Sequence, residues 1–527
     1  MTPTTPPKKR TIWKRLLLGL VIIATLFGGY HFWMIFLYEQ NLNSILAEID
    51  AEDPNWTWEQ MLASRSQLKP EDNGAIELIE LLKATTLRES IPWANRNEWA
   101  KKYMKLWDVP AMLYSDGFLE EHPNAKLPAV IRELTEPLLK MEPMPQVLNR
   151  ARDMKRFQVG RMDHTYRQLL MWSLLPDIQG TRNISTLLGY DADLLADRNQ
   201  PAPAVKSIQG MLGIGRCLSN DPFLISHLVR QAISGLACRQ TARMLAQPVT
   251  LTSDQLKLLQ WEFEREHELT VGMLTKMIRS ERAVLDHDLD QLAQGKINFS
   301  DIAGTMGVRL KLSTGYVPLD QKLVNLFPEL LYGWGNRPGH FKQERASLLK
   351  FYTQAVRWSA QPENTLVSSL EQWEKSGPFV TPFLRQFHMM PMNNKRDSRP
   401  EFDSLVRTAH AFLANRAKLR AIIAAIACER YRLDTKSWPT SWDQLTPQYL
   451  KAAPIDPNTG KPLFLKALPD GLVIYSVGRD QKDDGGEVLP GESPARDVGY
   501  RLWNPAQRGI NLDEKYNEYL KNIKGEQ

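Results

Sequence analysis

The sequence predicts a mainly α-helical protein with three parts: an N-terminal transmembrane helix, a large multi-helix exported body, and a small C-terminal α+β domain. Three observations support this prediction. An uncharged apolar run lies near the amino terminus, the middle of the chain has helical apolar spacing between short turns, and the final part adds segments of strand composition. A chain of 527 residues exceeds one ordinary domain, so several folding units are expected.

The apolar run extends from Leu16 to Leu37 and contains no Asp, Glu, Lys or Arg. As a helix it would span about 33 Å, which is enough to cross the hydrocarbon core of a bilayer. Basic residues precede the run, and the stretch after it is acidic as far as Arg65, which predicts a cytoplasmic amino terminus and an outward-facing bulk. A cleaved signal peptide is the alternative, but the run is longer than the usual apolar region of such a peptide and lacks a small-x-small cleavage site.

Charge and cysteine content exclude several classes of protein. The formal net charge is +6, but five Lys and Arg residues precede the first acidic residue, so the remainder is nearly neutral and no nucleic-acid-binding surface is predicted. The three cysteines are Cys217, Cys238 and Cys428. They are too few for a disulfide framework, and no two have the spacing of a zinc or redox pair.

The exported body, residues 39–400, is predicted to consist of successive helices, with a subdomain break near residues 295–340. Gly210, Gly213 and Gly215 do not have the spacing of a dinucleotide-binding motif, and we expect them to let helices approach closely. The predicted helices are Asp72–Glu89, Pro128–Arg152, Arg161–Asp197 with a break at Pro176, Pro203–Leu218, Pro222–Ala246, Ser253–Gln294 and Phe341–Gln361.

A different pattern begins near residue 401 and predicts the C-terminal α+β domain, residues 401–527. Apolar residues recur every seven positions from Phe412 to Leu433, which indicates one buried stripe on a long helix. A short helix and three strands are then predicted, at Ser441–Leu450, Leu463–Lys466, Leu472–Val477 and Val498–Trp503.

The tail carries an ordered series of motifs. They are Tyr431-Arg432-Leu433, Trp438-Pro439, Tyr449-Leu450, Pro454-Ile455-Asp456-Pro457, Val473-Ile474-Tyr475-Ser476-Val477-Gly478-Arg479-Asp480, Asp483-Asp484-Gly485-Gly486 and Asp497-Val498. Over residues 405–503 this series resembles the globular domain of the major pseudopilin of type II secretion systems. The resemblance implies a long helix before a small sheet and a Ca²⁺-binding loop. The pseudopilin leader is absent, and the loop from Gly486 to Asp497 is longer than in that family.

The predicted metal ligands are Asp480, Asp483, Asp484 and Asp497, with Ca²⁺ as the cofactor. Ca²⁺ takes six to eight oxygen ligands, and a turn with several carboxylates and two flexible glycines can supply them. The acid spacing does not match an EF-hand. A solvated acidic turn is the alternative interpretation.

The middle of the chain, notably Asn220–Ser226 and Ser280–Arg282, is similar to that of large bacterial single-pass membrane proteins that carry the same tail. The resemblance implies a bacterial inner-membrane protein with a periplasmic bulk. Its partners would be the lipid bilayer, through residues 16–38, and another envelope protein. We expect a non-enzymatic scaffold or interaction protein. The alternative is an envelope hydrolase that uses carboxylates, or a cell-wall sugar-binding protein that uses the tryptophan-rich region.

Three clusters suggest chemistry but have simpler explanations. The acids around His267, from Glu262 to Glu268, lack a second histidine at metal-ligand spacing, and we expect them to form a solvated helix face. In the cluster Asp286–Asp290, His287 could act as a base, but we expect an ordinary polar cluster near a helix end. The tryptophans are expected to serve the core rather than to stack on sugars; they are Trp56, Trp58, Trp93, Trp99 and Trp107.

Overall fold

The computed structural model describes residues 9–85, 118–162, 175–294, 296, 309–312, 315–318, 338–376, 400–488 and 497–525. The helices before the first strand are α1 (Lys9–Glu52), α2 (Trp58–Ser64), α3 (Gly74–Thr85), α4 (Phe118–Glu121), α5 (Ala129–Lys140), α6 (Met144–Asp153), α7 (Leu175–Asp197), α8 (Pro201–Arg216), α9 (Leu224–Leu245), α10 (Ser253–Leu269) and α11 (Met273–Ala293). Then follow β1 (Arg309–Leu312), β2 (Gly315–Pro318), α12 (Pro338–Ser359), α13 (Leu366–Ser376), α14 (Pro400–Thr435), β3 (Phe464–Leu468), β4 (Gly471–Ser476), β5 (Val498–Trp503) and α15 (Asp513–Gly525).

The fold is mainly helical, as predicted, and its contacts divide the chain into two compact units. The first unit comprises residues 1–61, 281–355 and 378–400, and the second comprises residues 62–280, 356–377 and 401–527. The C-terminal region therefore shares a unit with most of the predicted body. The division into a transmembrane helix, a body of residues 39–400 and a domain of residues 401–527 stays a prediction about folding units.

In the first unit, α1 combines an exposed apolar span with a core-forming end. Among the described residues, α1 is the helix long and apolar enough to cross a membrane, and none of its most apolar stretch is buried. Further along the same helix Leu42 and Ile49 are buried, together with Trp56, Ala346 and Leu349. The exposed span and the buried end belong to one uninterrupted helix.

A buried arginine links three elements of the first unit. Arg282 on α11 is fully buried; its guanidinium pairs with Asp53 and donates to the hydroxyl of Thr353 at 3.2 Å. The same group lies 5.1 Å from the ring centroid of Trp56. This tryptophan is thus a core residue that supports a cation.

The second unit has α8 at its centre, packed between α6, α7 and α9. Two glycines of α8 permit this packing, because a Cβ atom on Gly210 would lie 2.5 Å from the carbonyl oxygen of Ala151. A Cβ atom on Gly213 would lie 2.1 Å from the carbonyl oxygen of Met154. The expectation that these glycines allow close helix approach is confirmed.

The C-terminal region forms the predicted long helix and three-stranded antiparallel sheet, in the order β3-β4-β5. Every residue of β4 is buried, whereas β3 is an edge strand with partly exposed side chains. The stripe residues Phe412, Leu419 and Ile426 of α14 are buried. Because successive side chains of a strand point to opposite faces, the sheet is covered on both faces at β4, and its open edge runs along β3.

The last residues of the chain fasten this region to the helical body within the second unit. The N–H of Lys126 donates to the carbonyl of Ile510 at 2.8 Å, and the N–H of Ala129 donates to Asp513 at 3.1 Å. The ring of Phe118 meets Tyr516 edge to face at 4.9 Å. Tyr516 thus belongs to the core that the body builds.

Three helix predictions are wrong in detail. The short helix predicted at Ser441–Leu450 is only a 3₁₀ turn, Trp442–Gln444. The segment predicted as one helix from residue 253 to 294 is two helices, because Gly272 adopts a left-handed φ of 68° at the turn between them. The segment from residue 128 to 152 is also divided, with Pro143 preceding the second helix.

Candidate functional site

The acidic turn after β4 is the site that the sequence predicted. It brings Asp483, Asp484 and Asp497 to one turn around Gly485 and Gly486. One carboxylate oxygen of Asp497 accepts the N–H of Gly486 at 2.8 Å, and the other accepts the N–H of Asp484 at 3.4 Å. Asp497, immediately before β5, is buried and fixes the turn.

The other carboxylates of the turn have local partners. Asp483 accepts the hydroxyl of Tyr475 at 3.0 Å and the N–H of Gly485 at 2.8 Å. Asp480 accepts the N–H of Lys482 at 3.2 Å. The turn is thus ordered by its own acids, and Asp480 is engaged apart from the other three.

The electrostatics of the turn favour a cation. Burial raises the pKa of Asp497 above its ordinary value of 3.8, and the charges of Asp483 and Asp484 raise it further, although the N–H groups of Gly486 and Asp484 lower it. Carboxylate oxygens are the ligand type that Ca²⁺ prefers. Among the described residues, however, no three His, Cys, Asp or Glu side chains already form a group arranged to hold a metal. Residues 489–496 lie outside the described part, and the calcium site stays a prediction.

Asp456 stabilises the backbone that leads from β4 into this turn, a role that was not predicted. It is almost completely buried, and its carboxylate accepts the hydroxyl of Ser476 at 2.8 Å and the N–H of Val477 at 3.1 Å. The same carboxylate accepts the N–H of Asn458 at 2.8 Å. Asp456 therefore holds the end of β4, from which the acidic turn departs. Its position between two prolines was a clue to a fixed turn.

A surface groove lies beside the edge strand β3 and has a volume of about 750 Å³. Its wall includes Trp442, whose indole N–H donates to the carbonyl of Leu463 at 3.0 Å. Phe464 also lines it and stacks on Tyr475 with ring centroids 5.0 Å apart. Asp483 of the acidic turn reaches the same groove. This part of the surface combines aromatic side chains, an edge strand and a carboxylate.

Two acids of α10 do not lie on the solvated face that was predicted, whereas Glu268 is exposed. Glu262 and Glu266 are buried within the second unit, and each pairs with arginine. Glu262 pairs with the fully buried Arg216 and accepts the amide of Gln209 at 3.1 Å. Glu266 accepts from Arg230 at 3.0 Å. Desolvated charges on α8, α9 and α10 thus neutralise one another.

His267 on the same helix is not available as a metal ligand. Its Nε2 accepts from the guanidinium of Arg420 at 3.0 Å, and Arg416 donates to its carbonyl oxygen at 2.6 Å. Burial lowers the pKa of His267 to about 3, and the two arginine charges contribute to this shift. Glu363 accepts from both arginines, so this cluster joins α10 to α14.

The remaining candidates also have structural roles. Arg345 donates to Asp286 and to Asp290, each at 2.6 Å, so the second acidic cluster forms ion pairs near the end of α11. Trp56 and Trp58 are buried, which agrees with a core role for these two. The other three tryptophans of the sugar-binding hypothesis, at positions 93, 99 and 107, lie outside the described residues.

No family model matches this chain, and neither does any curated protein or solved structure compared with it. The resemblance of residues 405–503 to a pseudopilin domain therefore stays a prediction.

Proposed function

We propose that this chain is a single-pass membrane protein of the bacterial inner membrane, with residues 16–38 in the bilayer and the bulk outside the cytoplasm. The observation that carries the proposal is α1. Its apolar side chains are exposed from Leu16 onward, as expected for contact with lipid, while Leu42 and Ile49 near its other end join a folded core. One continuous helix is suited to retention as an anchor rather than to removal as a leader.

Epitope tags at both ends of the full-length chain test this anchor. A retained anchor predicts one species that carries both tags and stays in the membrane pellet after alkaline carbonate extraction. Removing residues 16–37 should release the protein into the supernatant. Loss of the N-terminal tag from the mature species would instead identify a cleaved signal peptide.

We further propose that the exported part acts as a scaffold that presents its tail to an envelope protein. Support comes from the integration of the tail into the second unit, through the Arg416–Glu363 ion pair and the packing of Phe118 on Tyr516. Buried charges at Glu262 and Glu266 are paired with arginines, which suits a structural role for them. The groove beside β3 is the surface that we assign to the partner.

Site-specific photo-crosslinking in intact cells tests this assignment. A photoreactive phenylalanine analogue at position 464, in the groove, should give a discrete adduct of higher mass. The same analogue at position 133, an exposed position on α5, is the control. No adduct at position 464, or equal adducts at both positions, would contradict a partner at the groove.

Ca²⁺ is the proposed cofactor of the tail, held by Asp497 and Asp483, with Asp484 and Asp480 as further ligands. The mutual repulsion of the carboxylates at the turn supports this assignment, because a divalent cation would relieve it. Isothermal titration of the full-length protein with CaCl₂ should detect binding, and an Asp497→Ala variant should not bind.

The alternative function, an envelope hydrolase or a sugar-binding protein, retains one supporting observation. The groove contains Trp442 and Phe464 together with Asp443 and Asp483, a combination of aromatic and acidic groups that suits a carbohydrate. Binding of soluble cell-wall fragments that is lost in a Trp442→Ala variant would favour this alternative over the scaffold.

A further inference from the structure

Helix α10 presents an apolar stripe to solvent beside the face that carries its buried ion pairs. The side chains of Leu258, Trp261 and Leu269 are 43%, 49% and 40% exposed. Their spacing along the helix, with Arg265 between them, places all four on one face. The guanidinium of Arg265 lies 5.2 Å from the ring centroid of Trp261. Leu258, Trp261 and Leu269 are thus partly exposed to solvent, although side chains of these types are ordinarily buried.

Charged residues flank this stripe in a self-complementary order. Lys257, whose side chain is 56% exposed, lies near the amino end, and the exposed Glu268 lies near the carboxyl end, on the same side of the stripe. When two copies of the helix run antiparallel about a two-fold axis near residue 263, Lys257 of one copy faces Glu268 of the other. A parallel arrangement would instead place like charges together.

The same axis matches the apolar side chains. It brings Leu258 of one copy opposite Leu269 of its partner copy, and Trp261 opposite Arg265, where a second cation–π contact can form. These pairings agree with the charge pairing to within one residue of register. Chemical complementarity thus selects a second copy of this chain as the occupant.

We propose that the protein forms an antiparallel homodimer through the exposed face of α10. The contact is isologous, because each pairing occurs twice about the axis. The inference stands on this surface alone and does not rest on the proposed membrane or scaffold function. If a different protein or only solvent covers this face, the tests below will detect no dimer through it.

The register of the dimer is tested by disulfide formation between full-length chains with different tags. A Leu258→Cys chain mixed with a Leu269→Cys chain should form a disulfide between the two tags under mild oxidation. Either variant alone should not, because two copies of residue 258 would lie about 15 Å apart along the helix axis. The three native cysteines are buried, which keeps the background low.

Charge reversal tests the same contact without cysteines, by sedimentation of the full-length protein in detergent. Lys257→Glu should weaken dimerisation at least about tenfold, and so should Glu268→Lys. The double variant carrying both changes should recover to within about threefold of the wild type. A monomer at all concentrations, a dimer unaffected by either reversal, or disulfides that form equally in the unmixed samples would each overturn the proposal.

Discussion

The buried ion pair between Arg216 and Glu262 allows a sharp test of how the second unit is held together. The side chain of Arg216 is completely buried. Its Nε atom also lies 3.5 Å from a carboxylate oxygen of Glu266. Two arginines and two glutamates in this network balance in charge. Glu262→Gln keeps the shape of the side chain but leaves one buried positive charge uncompensated.

The expected cost is about 3–5 kcal/mol of unfolding free energy, the range for breaking a buried ion pair by removing one partner. For a unit of about 370 residues, this cost corresponds to a fall in melting temperature of about 4–6 °C. Differential scanning fluorimetry of the full-length protein in detergent would measure it. Glu133→Gln, at an exposed position on α5, is the control and should change the melting temperature little.

A second variant separates loss of charge balance from loss of packing. Replacing both Arg216 and Glu262 by Met removes the two charges together, so the double variant should be more stable than Glu262→Gln alone. If Glu262→Gln melts within about 2 °C of the Glu133→Gln control, the network does not carry the stability assigned to it here.

Three further predictions follow from single features. Saturating Ca²⁺, at about a hundred times its dissociation constant, should stabilise the tail by about 2.7 kcal/mol in thermal melts; Asp497→Ala should abolish this gain and Glu487→Ala should keep it. Identical wild-type melts in Ca²⁺ and in chelator would refute the site. Gly213→Ala should lower the melting temperature by several degrees, because the added methyl group would meet a backbone carbonyl, whereas Gly235→Ala, with room for a Cβ, should not. Although burial raises the pKa of Glu429, hydrogen bonds from its arginine partners lower it below 4.5, so its stabilisation should be full above that pH and lost as the pH falls through the lowered value. A gap in melting temperature between wild type and Glu429→Gln that persists unchanged at pH 3 would contradict this assignment.

Elements with strong local patterns were predictable from the sequence. The uncharged length of residues 16–37 predicted the apolar helix, and strand composition placed β5 at Val498–Trp503, where the structure has it. The close approach at Gly213 was also predictable, since small residues at helical spacing on an apolar helix have few other uses. In each case the information lies within a few residues of the element itself.

The roles of Glu262 and Glu266 were not predictable from their own neighbourhood. Alternating acids on a helix ordinarily face solvent, and the arginines that bury them lie 46 and 36 residues earlier in the chain. A clue was present elsewhere, because Arg216 and Arg230 interrupt otherwise apolar helices and needed buried partners. Tertiary pairing of this kind becomes visible only when the helices are placed side by side.

The candidate site was predictable in its residue types but not in its geometry. Four aspartates near two glycines indicated an acidic turn, and three of them meet there. The support from Asp456 depends on the pairing of distant segments, with Ser476 twenty positions away. Local composition does not encode such a contact.

The central claim is that the chain crosses the membrane once, with its folded mass outside the cytoplasm. Thiol labelling of the full-length protein in intact cells tests this most directly, because the native cysteines are buried. A cysteine at the exposed position of Glu514, on α15, should react with a membrane-impermeant maleimide without permeabilisation, whereas a cysteine in place of Thr4 should react only after it. The reverse pattern, with position 4 labelled in intact cells and position 514 protected, would contradict the account.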